Sequence, residues 1–309
     1  MCAGLPTAAF TTWHMARGAP CPDVNPRFRH AFRNYDGPFV VKPVSGRASL
    51  HVQLVEHRAD LPEAIARIYE ITSDAVLIEK YLPGREFCIA AAGPVTARDG
   101  TLVRGDGPFT FAALERVLSP DEKIFTSMDV RPITGARCRA IDPVKEADLL
   151  ASLHKLARDV FLEFNLGSVI RLDVRADIAG NLYILEANPK PDLKRSGHGA
   201  TSLICEGLSD YGMSYDDLIL SLLADRIDFL FNHRSGTVSH LFDLVQGRSP
   251  RAVASRNPPC GASQLRDRLT QANVWPLRHT LVAAARAEAG GRFLAAAATV
   301  RSLQVRAGE

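Results

Sequence analysis

Long hydrophobic runs are missing from this sequence. The two longest, residues 87–92 and 293–298, are six residues each, against the roughly 18 to 20 that a bilayer-crossing helix needs. Met1-Cys2-Ala3-Gly4 opens no basic-then-apolar leader. Both absences point to a cytoplasmic protein with no membrane partner. Cysteine is sparse and scattered: the six, at 2, 21, 88, 138, 205 and 260, form no C-x-x-C pair and have no histidine at ligand spacing. Neither a zinc site nor a disulfide framework is suggested by this spacing, and reduced, mostly buried thiols are expected. The phosphate loop G-x-x-x-x-G-K-[ST] is absent, and so is any internal repeat. Acidic residues are scarce in one region only. Residues 232–309 carry eleven Arg, no Lys and four acidic side chains, a net +7 inside a chain whose total is +3, so that the first 231 residues sum to −4. That tail has one Trp, no Tyr and no clustered basic run, which argues against nucleic-acid binding and for a solvated appendage, helical or partly disordered.

What remains is ordinary globular composition, 46% hydrophobic and 23% charged, enough for one large core or two modest ones. Four stretches follow one another. Residues 1–37, rich in Pro, Gly, His and Arg, read as a lead-in linker. Residues 38–84 alternate strand (39–42), strand (50–55), helix (61–71, with Pro62 near its start) and strand (75–79), a small α+β unit. Residues 85–231 hold a strand (86–92), a helix (145–164), a hairpin (169–174 and 182–187) and a last helix (215–231). Residues 232–309 form the tail.

The hairpin carries chemistry. With an even-numbered tip centred between Ala179 and Gly180, Arg171 faces Asn188 and Asp173 faces Glu186. One side of the sheet then shows Arg171, Asp173, Arg175, Ile184, Glu186 and Asn188, and the other, almost wholly apolar, is the core side. Two carboxylates about 5 Å apart repel each other unless a cation lies between them. Asp173, Glu186 and Asn188 offer oxygen alone, a set suited to Mg²⁺ or Mn²⁺. A solvated face on which Arg171 and Arg175 neutralise the carboxylates is the competing reading. An odd tip would reverse one strand's parity.

Elsewhere, Phe39-Val40-Val41-Lys42-Pro43 ends an apolar strand on a lysine. The polar loop Ser45-Gly46-Arg47-Ala48-Ser49 after it has amides suited to cradling phosphate. A strand-terminal lysine by itself is usually a solvated edge charge. Strings of this kind, Val41-Lys42-Pro43, then Ile78-Glu79-Lys80-Tyr81-Leu82-Pro83-Gly84-Arg85-Glu86-Phe87, then Arg171-Leu172-Asp173-Val174-Arg175, then Leu185-Glu186-Ala187-Asn188-Pro189, resemble the ATP-grasp superfamily in its D-alanine-D-alanine ligase-like branch. The resemblance covers about residues 4–231.

It implies an α+β ATP-grasp fold in which two lobes clasp ATP. Lys42 would lie on the phosphates, the connector Glu79, Lys80, Tyr81 and Leu82 on adenine, and Glu86 on the ribose. Asp173, Glu186 and Asn188 would hold two Mg²⁺ (or Mn²⁺) ions, and Arg171 would meet the tetrahedral oxyanion. Arg131 would reach the phosphates from a loop, and Ser196 with Gly197 would hold the acceptor's carboxylate. The implied activity is ATP-dependent carboxylate-amine (or carboxylate-hydroxyl) ligation of small amino or hydroxy acids, with a homodimer as the oligomer it admits. A nucleotide-binding module without turnover is the alternative. Four departures accompany the resemblance: the phosphate loop has one glycine and is followed by His51, the loop 190–198 is long and basic, the Arg/Ala-rich tail has no family counterpart, and the family's amino-terminal domain of about one hundred residues has no counterpart here.

Overall fold

Phe39 and Val41 point to one side of their strand and Val40 and Lys42 to the other, and this alternation sets the first sheet. The computed structural model describes residues 4–14, 22–46, 49–120, 122–124, 137–195 and 202–233. The chain divides into units Met1–Phe229 and Leu230–Glu309, and the fold described below is that of the first. The expectation for the tail over 232–309 falls almost wholly outside the described residues.

In the smaller lobe, strands β1 (Phe10–Trp13), β2 (Phe39–Pro43), β3 (Gln53–Val55) and β4 (Val76–Lys80) form an antiparallel sheet ordered β1-β4-β2-β3. Helices α1 (Pro26–Phe32) and α2 (Leu61–Thr72) cover one face. Phe28, Phe39, Leu61, Ile65, Ile68 and Ile78 are fully buried there, each stabilising by about 1.5–3 kcal/mol. The segment expected as a linker over 1–37 thus supplies both an edge strand and a core helix. Its helix is seven residues long, too short to show a period, but Asn25 caps it by accepting from the amides of Arg27 and Phe28 at 2.9 and 3.1 Å. The strand expected over 50–55 starts only at Gln53, because Ser49 and His51 take φ of 55° and 62° and turn the chain.

The larger lobe is built on β5 (Glu86–Ala92), whose seven residues are all buried. Helix α3 (Ala147–Glu163) covers one of its faces through Leu153, Ala157 and Val160. Ile204 of α4 (Leu203–Glu206), Leu208 and Leu218 of α5 (Tyr215–His233) cover the Ala90–Ala92 end of the other, which explains a run without alternation. Strands β9 (Leu114–Arg116), β10 (Cys138–Ala140), β11 (Ile170–Ala176) and β12 (Leu182–Asn188) complete the order β10-β9-β5-β11-β12, and β8 (Phe109–Thr110) also pairs with β5. The hairpin of β6 (Val95–Arg98) and β7 (Thr101–Arg104) stands apart as a two-stranded sheet.

The β11–β12 hairpin corrects one expectation and keeps its consequence. Arg171 pairs with Asn188 and Asp173 with Glu186, but Val174 pairs with Ile184 and Ala176 with Leu182. The tip is therefore odd, residues 177–181, and a β-bulge at Leu185 restores the parity beyond it. Ile184, expected on the polar side, packs on the core with Leu182, while Tyr183, expected on the core side, stands opposite Arg175.

Candidate active site

Three cross-strand rows make the polar face of the larger sheet. Because Glu86 lies opposite both Arg116 and Arg175, and Arg175 opposite Tyr183, one row reads Arg116, Glu86, Arg175, Tyr183. The next reads Leu114, Cys88, Asp173, Glu186, and the third Ala90, Arg171, Asn188. Residues opposite or two apart share a side, so the sheet itself gathers Glu86, Asp173, Glu186, Asn188 and Arg171.

In the lower two rows Arg171 grips Asp173, with Nε donating to Oδ1 at 3.0 Å and Nη2 to Oδ2 at 3.1 Å. The Asn188 amide, turned to satisfy both neighbours, donates to Glu186 Oε1 at 2.9 Å and accepts from Arg171 Nη2 at 3.0 Å. Glu186 is exposed and enters no ion pair among the described residues. The neutralised-face reading is therefore met in half: Arg171 serves Asp173, whereas Arg175 goes to Glu86. Among the described residues no three His, Cys, Asp or Glu side chains gather around a common point. The donor set is two carboxylates and an amide, all oxygen, which fits a hard divalent cation once Arg171 releases Asp173.

Three of the four residues of the first row, Glu86, Arg116 and Arg175, are buried. Glu86 is buried, with Oε1 accepting from Arg116 Nη1 at 2.9 Å and Oε2 from Arg175 Nη1 at 3.3 Å. Burial pushes its carboxyl above the ordinary range, against the pull of the two guanidinium groups.

In the smaller lobe Lys42 Nζ is 2.7 Å from Glu79 Oε2, so the lysine meets the start of the connector. The amides of Lys80 and Tyr81 donate to Ala9 O and Pro38 O at 2.8 and 3.0 Å. The Leu82 amide is the connector donor still available among the described residues. Lys80 itself points its ammonium over the Tyr35 ring, 5.1 Å from the centroid. In the loop after β2, the Ser45 amide is taken by Asp74 Oδ2 at 2.6 Å, which removes one donor from the expected phosphate cradle. Arg47 and Ala48 lie outside the described residues, as do Arg131, Ser196 and Gly197.

Comparison with known proteins decides the lineage. The profile of the family "D-ala D-ala ligase C-terminus" matches residues 2–224. The chain belongs to this family. Relatives include the D-alanine–D-alanine ligase of Gloeobacter violaceus, 29% identical over 191 residues covering 62% of this chain and 56% of that protein. The D-alanine–D-alanine ligase of Pediococcus pentosaceus is 24% identical over 219 residues, covering 71% of this chain and 53% of that one. The chain spans about half the length of these curated relatives. Among solved structures it is similar to the D-alanine-D-alanine ligase of Coxiella burnetii, with a TM-score of 0.53 and 16% identity over 80% of this chain and 58% of that one. It is also similar to the D-Ala:D-Ser ligase of Enterococcus faecalis, with a TM-score of 0.51 and 18% identity over 72% of this chain and 58% of that one. The α+β architecture is that of an ATP-grasp ligase.

In this D-Ala-D-Ala ligase family member the rows of β5, β9, β11 and β12 hold five of the residues to which the resemblance gave a role, Glu86, Arg171, Asp173, Glu186 and Asn188. Arg116 and Tyr183 were not among them. Arg116 lies on a three-residue strand with no period to find it by, and Tyr183 lies beyond the bulge. Cys88, beside Asp173, is a buried thiol whose pKa burial and that carboxylate raise; Cys138 is pushed up to about 11, and neither is poised as a nucleophile. A cavity of about 630 Å³ lined by Phe109, His154, Arg158 and Tyr211 shares no residue with the rows. No helix among the described residues is long and apolar enough to cross a membrane.

Proposed function

We propose that this chain is the nucleotide- and metal-binding part of an Mg-ATP-dependent carboxylate-amine ligase that works in the cytoplasm on small amino or hydroxy acids. The observation that carries the reading is the polar face itself: Asp173 directly opposite Glu186, Asn188 one pleat on, and an arginine held against them, in a chain of this family. The names of the relatives, D-alanine–D-alanine ligase, support a small amino acid as the substrate class.

Magnesium held by Asp173, Glu186 and Asn188 would neutralise the triphosphate. Lys42 swings from Glu79 to the phosphates, the Leu82 amide faces adenine, and Glu86 accepts from the ribose hydroxyls through lone pairs its two arginines leave open. A substrate carboxylate oxygen attacks the γ-phosphorus as the bond to ADP breaks, giving an acyl phosphate. The neutral amine then attacks the acyl carbon, the bond to phosphate breaks, and the departing phosphate carries off the proton the nitrogen loses. Arg171, freed from Asp173, presents a fixed positive charge to the oxyanion of that second step. Arg131 and Ser196 complete the proposal by their place in the motifs, on the phosphates and on the acceptor's carboxylate.

The test is calorimetry with Mg-ATP on the folded 309-residue chain, followed by ADP and phosphate release over a panel of amino and hydroxy acids. Saturable binding weakened about tenfold or more in Lys42→Ala is expected. Absence of binding, or binding indifferent to that substitution, overturns the nucleotide assignment. Binding without release of ADP over the whole panel returns the chain to a non-catalytic module.

A further inference from the structure

Arg175 is the most connected side chain near the connector. It is buried, and four of its N–H groups have acceptors. Nε donates to Gly84 O at 3.3 Å and Nη1 to Glu86 Oε2 at 3.3 Å. Nη2 donates to Lys123 O at 2.7 Å and to Tyr81 Oη at 3.4 Å. The guanidinium carbon stands 5.1 Å from the centroid of the Tyr81 ring, and the Tyr81 hydroxyl donates in turn to Lys123 O at 3.1 Å. One planar group therefore binds Tyr81 of the connector, Gly84 just beyond it, the Glu86 carboxylate and a loop that returns to the smaller lobe through Lys123 Nζ and Glu56 Oε1, 2.8 Å apart.

Stability alone is a poor reason for this arrangement. Burying charges costs about what their attraction returns, and well-packed apolar residues in their place are often neutral or better. What a planar fork provides is geometry, since it fixes several acceptors in one plane at set separations. The strand register contributes the rest, because Arg175 lies directly opposite Glu86.

We propose that Arg175 is a positioning residue for nucleoside recognition, holding the connector that faces the base and the Glu86 carboxylate that faces the ribose at a fixed separation. The inference rests on the reading of the connector and Glu86 as nucleoside-binding groups. Arg175 itself touches no substrate in this scheme, and its loss acts through Tyr81, Gly84 and Glu86.

Calorimetry on the full 309-residue chain with Mg-ATP, Mg-2′-deoxy-ATP and Mg-tripolyphosphate separates these roles. The wild type is expected to prefer ATP over 2′-deoxy-ATP by about tenfold, the scale of one hydrogen bond to a charged acceptor. Glu86→Gln, Arg175→Met and Arg175→Lys should each bring that ratio to about one while tripolyphosphate binding stays within about twofold. Arg175→Lys keeps a cation beside Glu86 without the fork, so the test survives if Arg175→Met fails to fold. A ratio retained in Arg175→Lys overturns the inference, as does a parallel fall of ATP and tripolyphosphate binding, the mark of a merely structural role. A wild type that binds ATP without preferring it to the deoxy form overturns the inference alone. A wild type that binds neither ATP nor tripolyphosphate overturns the nucleotide reading and the inference with it.

Discussion

Arg171 forks onto Asp173, the carboxylate that the proposed cation would need, so under that proposal metal binding and release of the guanidinium are coupled: the charge that would attract the metal holds the arginine assigned to the oxyanion. Glu186 enters no ion pair among the described residues and accepts a hydrogen bond from the Asn188 amide, and Glu186→Gln keeps its shape and an acceptor oxygen while removing the charge. Because the side chain is exposed, the metal-free protein should change by no more than about 0.5 kcal/mol. The Mg²⁺ concentration needed for nucleotide binding should rise by about tenfold. A large loss of thermal stability with unaltered Mg²⁺ dependence would instead mark Glu186 as part of a structural ion network. Arg171→Lys tests the other arm. If Arg171 meets the proposed oxyanion, a charge absent from the bound substrates, kcat should fall on the order of 10² while ATP affinity holds, and a loss of ATP affinity matching the loss of kcat would refute the assignment.

At the scale of elements, what could be read from the sequence was periodic or flanked. Helix α3, expected over 145–164 and found at Ala147–Glu163, repeats its apolar residues at helical spacing. Strand β5 carries an unbroken apolar run, residues 87–92, between Glu86 and a glycine. The hairpin pairs at Asp173 and Asn188 came out as expected although the tip is odd, because the bulge at Leu185 adds the compensating residue; nothing in the composition of that strand announces a bulge. Strands β8, β9 and β10 are two or three residues long and have no period to detect, so the row that links Arg116 to Glu86 was invisible without the register. The same limit hid His154, which ties three elements together. Its Nδ1 meets Thr110 Oγ1 of β8 and its Nε2 lies 3.2 Å from the Tyr211 hydroxyl. Burial lowers its pKa below 6.5, and Arg158 acts in the same direction. A histidine whose folded pKa is depressed contributes stability that is present above its unfolded pKa and lost as pH falls through it. Melting temperature should therefore fall from pH 7 to pH 5 more steeply in the wild type than in His154→Gln, and equal slopes would show that the ring is not buried in its neutral form.

For the whole molecule the question is what the arginine-rich tail contributes. The family match ends at residue 224, and every buried apolar cluster among the described residues lies between Trp13 and Leu218 or at the strands and helices that join them. Residues 232–309 hold +7 of charge and the rest −4, so a chain ending at His233 keeps α5 and reverses the sign of the net charge. If folding and nucleotide binding reside in residues 1–233, this shortened chain should melt in one transition within about 3 °C of the full protein, since no described core residue is removed. It should also bind Mg-ATP within about twofold. Any affinity the 309-residue chain shows for duplex DNA at low salt should be absent from the shortened chain under the same conditions, because that attraction is carried by counterion release at the basic residues and scales with their number. Aggregation of the shortened chain, or loss of Mg-ATP binding with its fold intact, would place part of the working site in the tail and give those eleven arginines a role that charge alone does not describe.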